Sequence, residues 1–485
     1  MNFDALRALV GRPEVQVVRE LARARGAPTL LVGGAVRDAL LGQPLPRDLD
    51  FAVQGDAAAL GRAVANALNA SFYVLDADRG TARVLVRERT PTGGMTMDFA
   101  ACRGPDWRAD AFARDFTINA IAVNLDDGAL VDEANGLADL DARVIRAANE
   151  HAMADDPVRA LRAVRLSFAL GMRIEPATLA QVRAAGRMLG RPSAERLRDE
   201  LMAILNLRDA GRAVQRLDDL NLLVPIVPEV EPMRACDQPA PHRFTVLQHT
   251  WVVMEALDHL LEDWALGMGD VRFERLAEHF GAITAEHHTR AAVFRFAAML
   301  HDCGKPATRS IGEDGRAHFY GHETTGATLA AARARALRFS GDEVARVRTI
   351  VRHHMRANFM AQQAHAPTLR TLYRFFRDVG DCAPELALFA IADCVGKRGP
   401  QTAAEDCAPS VEIARRLLGE YYARFERSVA PAPLLNGRDV IALGVKPGPR
   451  VGEILEAVRE AQMIGELVTR EDALALAHRL ARGEG

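Results

Sequence analysis

The sequence predicts an α+β head followed by all-α neck, middle and tail domains. Three observations carry that prediction. The 485 residues exceed what one hydrophobic core supports, so two to four domains are expected. Strand-like runs crowd into residues 1–147. Beyond them, apolar residues recur at helical spacing.

Composition narrows the classes. Hydrophobic residues make up 49% and charged residues 26%, which excludes a disordered chain and fits a soluble globular one. No apolar run is long enough to span a bilayer, and the N-terminus lacks the basic-then-apolar pattern of a secretory signal. A cytoplasmic location without membrane contact is therefore expected. Cys102, Cys236, Cys303, Cys382, Cys394 and Cys407 are scattered without a CxxC pair. That spacing suits a reducing compartment and argues against a disulfide framework or a zinc ribbon. A formal charge of −3 gives no whole-chain sign of nucleic acid, so such a partner must meet a local basic surface.

The head is organised around Leu31–Phe51. A strand, Thr29–Val32, runs into Gly33-Gly34 and a short helical pattern, and Asp48 and Asp50 then open another apolar run. Paired glycines let a phosphate chain approach backbone amides. Aspartates two apart on a strand share a face, and two carboxylates side by side repel unless a divalent cation joins them. Asp56–Leu68 has helical spacing. Ala82–Arg87 and Met95–Ala101 read as strands joined by a TPTGG turn. Asp98, on the face opposite Met97 and Phe99, is a candidate third acid. Arg114 and Asp115 precede an expected helical segment within Ala113–Val123, and Leu130–Ala147 closes the head with a glycine turn.

GGAVRD, the Asp48-Leu49-Asp50 run, RDFTINA and the VDEANGLADL turn together resemble the nucleotidyltransferase head of class II tRNA CCA-adding enzymes and bacterial poly(A) polymerases. The resemblance implies a polymerase-β-like head. It also implies that Gly33, Gly34 and Arg37 contact the incoming triphosphate and that Asp48 and Asp50 hold Mg²⁺. Arg114, Asp115 and Asn119 would shape the sugar and phosphate site, with Asp98 in the place of the third acid.

For the neck, residues 148–235, Asp155–Ile174 reads as a helix started by an aspartate cap and Pro157 at its first position. Leu161, Val164 and Phe168 form its apolar stripe, while Arg159, Arg162 and Arg165 line another face. Its DDPVRALRAVR resembles the family's Glu-Asp-x-x-Arg element. By that likeness Asp156 and Arg159 read the base of CTP or ATP, and Arg162 and Arg165 follow in the pattern. Carboxylate and guanidinium have the donors and acceptors for that task. Asp155 stands where the family commonly has glutamate. Arg191–Leu205 matches the next family element, with Ser193 as cap and Glu195 and Glu200 in structural roles.

In the middle domain, residues 236–400, histidines and aspartates fall in apolar helical contexts. They are His249, His301-Asp302, His322, His353-His354 and Asp393. Imidazole with carboxylate suits a transition metal or Mg²⁺. The set resembles an HD-domain metal-dependent phosphohydrolase. His249, His301-Asp302 and Asp393 match its defining order, and His322 with one of His353 or His354 matches the extra ligands of two-metal members. In CCA-adding enzymes with such a domain, the resemblance suggests removal of 2′,3′-cyclic phosphate or 2′-phosphate at RNA ends. The tail, residues 401–485, contains a Pro/Ala linker and then Lys446 and Arg450 at a helix start, a phosphate-backbone contact or an ordinary loop.

The leading expectation is therefore a template-independent tRNA nucleotidyltransferase adding CMP and AMP from CTP and ATP, with tRNA as partner and no protein partner indicated. Poly(A), CC-only or A-only addition is the alternative output. An RNA-end phosphohydrolase with an RNA-binding head is the alternative of a different class.

Overall fold

A computed structural model of the chain describes every residue except 78–79, 87–93, 240–242, 263–269, 286, 400–401, 403, 426–432 and 484–485. Most of the expected TPTGG turn, part of the 235–244 boundary stretch and most of the Pro/Ala linker lie outside the described residues. The chain divides into two compact units, Met1–Arg196 with Arg216–Ile226, and Leu197–Gln215 with Val227–Gly485.

The first unit holds a seven-stranded sheet. Its strands are β1 (Thr29–Val32), β2 (Asp48–Val53), β3 (Ser71–Asp76), β4 (Thr81–Val86), β5 (Met95–Ala101), β6 (Ala122–Asn124) and β7 (Leu130–Val131), in the order β3-β4-β5-β2-β1-β6-β7. β2 pairs antiparallel with β1 but parallel with β5, and Asp50 stands opposite Asp98. Period-two alternation buries Leu49 and Phe51 and leaves Asp48 and Asp50 on the other face. On the buried face Phe51 stacks on Phe99 with ring centroids 4.9 Å apart. The helix Ala57–Ala67, capped by Asp56, covers them. At Gly61 an added Cβ would lie 3.2 Å from the Phe99 ring, so a small residue sets that approach. β3 is an edge strand with Tyr73, Val74 and Leu75 about half exposed.

Two sequence expectations in this unit need correction. Ala113–Val123 holds no α-helix: Thr117–Asn119 forms one 3-10 turn and β6 follows. The Thr117 amide donates to the Arg146 carbonyl and the Ala148 amide to the Asp115 carbonyl, so the segment bonds across to residues 146–148 instead of coiling on itself. The neck helix is also interrupted. A short helix, Ala152–Asp155, ends at Asp156 in extended geometry, Pro157 caps the next helix, Val158–Leu170, and Arg173–Ile174 pairs as a strand with Val144–Ile145. Proline drives its predecessor out of the helical region, and from there Asp156 Oδ1 accepts from the Val158 amide at 3.4 Å.

The second unit is helical, with short hairpins. The helix Val246–Glu262 packs against Ala383–Arg398, and His322–Ala336 against Gly341–His353. Among the described residues no helix is long and apolar enough to cross a membrane. The expectation against disulfides fails at one place: Cys394 and Cys407 are bonded, with Cα atoms 6.0 Å apart. The chain leaves Ala383–Arg398 and folds back through a 3-10 turn, Ala404–Cys407, into the helix Ala408–Glu420. Cysteines thirteen positions apart thus meet without any CxxC signature.

Phe99→Ala removes the ring on which Phe51 and Gly61 rest. It should lower the head's stability by about 3–5 kcal/mol, read as a fall in the denaturation midpoint followed by fluorescence or circular dichroism.

Candidate functional site

The face of the sheet opposite the Phe51–Phe99 core opens into a cleft of about 960 Å³ within the first unit. Gly33, Gly34, Arg37, Asp50, Asp98, Arg114, Asp115, Asn119, Asp156, Arg159, Arg162 and Arg165 line it, so every head and neck candidate except Asp48 contributes a wall. Asp48 lies exposed at the start of β2.

Backbone geometry fixes the glycines. Gly33 has φ +88°, and a Cβ there would come 2.8 Å from Asp50 Oδ2, so glycine is required both for the turn and for the carboxylate beside it. Asp50 is open to water from the cleft, yet enclosing walls exclude most bulk solvent. Burial, then the neighbouring Asp98, push its carboxyl up to about 6 against the pull of Arg114, with Asp48 adding to the rise. Asp98 is held by Arg83, whose Nε and Nη2 donate to its two oxygens at 2.8 Å each. In this state Asp98 is a partly neutralised neighbour of Asp50. Arg83 is not marked in the sequence. It faces Asp98 because β4 pairs with β5 in that register, which no local pattern reveals.

The far wall is a chain of paired charges. Buried Arg37 donates through Nη1 to Asn119 Oδ1 at 2.5 Å, and Asn119 Nδ2 donates to Asp115 Oδ1 at 3.0 Å. Asp115 Oδ2 accepts from Arg162 Nη1 at 3.1 Å. Burial opposes ionisation of Asp115, but Arg162, Asn119 and the Phe116 amide outweigh it and hold the carboxyl below the usual range. Arg114 grips Asp110 through Nε and Nη2. Arg159 donates to the carbonyls of Ala113, Arg114 and Ala152 and stands 3.9 Å from Asp156. Asp156 is taken instead by Arg196, Nη2 to Oδ2 at 2.6 Å. Arg196, beyond the sequence candidates, sits one turn into the helix Ala194–Leu205, after Ser193.

The second unit gathers a separate cluster. Nitrogen and oxygen atoms of His249, His301 and Asp393 lie within 4.8 Å of one another, as do those of Asp302, His322 and His354. His301, His322 and His354 each donate Nδ1–H to the carbonyl three residues earlier, at 2.8 Å. That bond fixes the tautomer and turns each Nε2 inward, as metal-ligating histidines require. Burial, then His301, push His354 down to about 3, leaving a neutral imidazole. Burial opposes ionisation of both aspartates, but His301 and Lys305 around Asp302, and Lys397 and His249 around Asp393, hold them well below the usual carboxylate range. Asp302 Oδ1 and His322 Nε2 are buried, 3.4 Å apart, and make no hydrogen bond. A divalent ion fits this donor set. His353 is left outside the cluster, half-buried beside Arg356 and Asp378.

Glycines again permit the convergence. A Cβ at Gly396 would meet Val253 at 2.4 Å and the His249 ring at 2.8 Å, and one at Gly304 would meet the His322 carbonyl at 2.1 Å. Without them the helices carrying Asp393 and His249, and the segment carrying Asp302 and His322, could not approach. Gly396→Ala should push His249 off the cluster. The checks are a stability loss of about 1–3 kcal/mol and reduced bound metal by atomic emission, with the first unit's melting unchanged.

Three family models match the chain: a poly(A) polymerase head domain over residues 29–146, a "probable RNA and SrmB-binding site of polymerase A" over 171–234, and an HD domain over 246–395. The chain is 35% identical to an A-adding tRNA nucleotidyltransferase of Deinococcus radiodurans, over 93% of this chain and 95% of the relative. It is 32% identical to a CC-adding tRNA nucleotidyltransferase of Thermus thermophilus, over 92% of each. A multifunctional CCA protein of Xanthomonas axonopodis pv. citri is 31% identical over 89% of this chain and 97% of that one. Among solved structures, a CCA-adding enzyme with CTP superposes with a TM-score of 0.64 at 21% identity, covering 100% and 99% of the two chains. A Thermotoga maritima CCA-adding enzyme with tRNA gives 0.60 at 22%, covering 99% and 98%.

Proposed function

Because the chain belongs to the tRNA nucleotidyltransferase family with a poly(A) polymerase-type head, we propose that its head cleft transfers CMP and AMP from CTP and ATP to the 3′ end of tRNA. The observation that carries this reading is the convergence of Gly33, Asp50, Arg37 and the Asp156–Arg159 pair on one cleft. The four-part division into head, neck, HD domain and tail is proposed with it.

Asp48 and Asp50 would hold Mg²⁺, and the raised carboxyl of Asp50 beside Asp98 fits a site awaiting a cation. A divalent ion bound there supplies charge neutralisation for the triphosphate and the attacking 3′ hydroxyl. The chain's own groups do the rest. The Gly33-Gly34 amides and Arg37 receive the triphosphate, and Asp115 and Asn119 hold Arg37 and Arg162 in place through the hydrogen-bonded chain. Asp156 and Arg159 present an acceptor and donors to the base edge once released from Arg196 and the main-chain carbonyls. In the second unit the six-residue cluster would bind one or two divalent ions and hydrolyse a phosphate ester at an RNA end.

A second reading, addition of only CC or only A, is favoured by the relatives that carry those two names. Primer extension on tRNA lacking CCA, CA or the final A, with CTP and ATP separately, distinguishes them. Completion of CCA followed by arrest supports the first reading, and incorporation of one nucleotide type supports the second.

Asp48→Ala should lower incorporation by at least about a thousandfold while HD-site metal content stays at the wild-type value. Full incorporation by that variant would remove Asp48 from the mechanism. Asp50 also sets a pH dependence. Its folded carboxyl titrates at about 6, above the ordinary value, so below that pH a proton occupies the group and competes with the ion. The apparent affinity of the head for Mn²⁺ should therefore weaken progressively as pH falls from 7 to 5, and Asp50→Asn should flatten the profile.

A further inference from the structure

The HD cluster carries a charged group that its ligand set leaves unused. Lys397 lies one turn after Asp393 on the helix Ala383–Arg398, and its Nζ stands 2.6 Å from Asp393 Oδ2. That oxygen already accepts from Asn358 Nδ2 at 2.5 Å, while Asp393 Oδ1 faces His249 Nε2 at 3.3 Å. The carboxylate is therefore oriented without the lysine. Lys305 makes the matching contact to Asp302 Oδ2, at 2.6 Å, but is tied down further by Gln238 Oε1 at 2.7 Å and by the Phe319 ring.

Exposure separates the two cations. The side chains of the six ligands are at most 8% exposed and Lys305 is 9% exposed, but Lys397 is 22% exposed. Part of the Lys397 side chain thus reaches water while its ammonium contacts the closed cluster. Two carboxylates balanced by two ammoniums leave the site formally neutral without an ion. Any divalent ion then adds its whole charge, and the cluster becomes an anion site. An ion drawing on Asp393 also weakens the hold of that carboxylate on Lys397.

We propose that Lys397 is a phosphate-binding residue of the HD centre, leaving Asp393 for a non-bridging oxygen of a phosphomonoester when an ion engages the cluster. This rests on reading the cluster as a phosphohydrolase centre. A monoester dianion gains more from an added cation than a diester monoanion does, so Lys397 favours terminal phosphates over cyclic or internal ones.

The test uses the full chain and its Lys397→Met and Lys397→Arg variants, loaded with Mn²⁺. Three quantities are measured: bound Mn²⁺ per chain, affinity for inorganic phosphate by calorimetry, and KM and kcat for p-nitrophenyl phosphate and bis(p-nitrophenyl) phosphate. Lys397→Met should keep its Mn²⁺, bind phosphate about tenfold more weakly and show a similar rise in monoester KM. Diester KM should change far less, and Lys397→Arg should recover most of the phosphate affinity. Loss of Mn²⁺ with unchanged phosphate affinity in the metal-saturated protein would reduce Lys397 to a positioning residue for Asp393 and overturn the proposal. Equal losses on monoester and diester would overturn the selectivity. A wild type that hydrolyses neither ester sinks the phosphohydrolase reading itself, while phosphate affinity still decides the role of Lys397. If Lys397→Met fails to fold, Lys397→Gln takes its place in the same comparison.

Discussion

The parallel pairing of β2 with β5 is the constraint on which the head depends, because it sets Asp50 directly opposite Asp98 in a sheet whose other pairings are antiparallel. The same register that stacks Phe51 on Phe99 beneath the sheet crowds carboxylates above it. Packing on one face thus enforces repulsion on the other. A one-residue slip would bury the aspartates and expose the rings, so the apolar face protects the geometry of the charged one. Arg83 relieves part of the repulsion by engaging Asp98, and the remainder holds the Asp50 carboxyl above its ordinary range.

The HD cluster solves the same problem with helices. Six candidate ligands converge from five stretches of chain, His301 and Asp302 being adjacent, and each aspartate carries a lysine three or four residues further along. Charge there is balanced by neighbouring lysines, whereas in the head Asp50 faces further carboxylates and its own carboxyl is raised. The two centres therefore differ in what the empty state must withstand. The head tolerates an uncompensated acid in an open cleft, and the helical unit buries its acids only because ammonium groups accompany them.

Much of this was legible in the chain. The Gly33-Gly34 turn, the Asp48/Asp50 spacing, the strands around them and the clustered HD histidines and aspartates announce themselves through local pattern and family likeness. What was not legible depends on partners distant in sequence. Arg83 and Arg196 acquire their roles from strand register and from a helix 40 residues beyond Asp156. The Ala113–Val123 segment has helical spacing, but main-chain bonds to residues 146–148 overrule it. His353 and His354 are indistinguishable by type, and only the end of the helix Gly341–His353 decides which one turns inward. Cys394 and Cys407 look unrelated until the chain folds back on itself. Nothing local marks Gly304 and Gly396, because the atoms they admit belong to other elements.

The edge strand β3 has a consequence for handling the protein. Tyr73, Val74 and Leu75 present a half-exposed apolar run on a strand that, among the described residues, pairs on one side alone, the kind of border on which a stray strand can dock. The register irregularity between Val74 and Asp76 bends that border. A bend at this border opposes a second strand laid along it, and a substitution that straightened it would favour self-association.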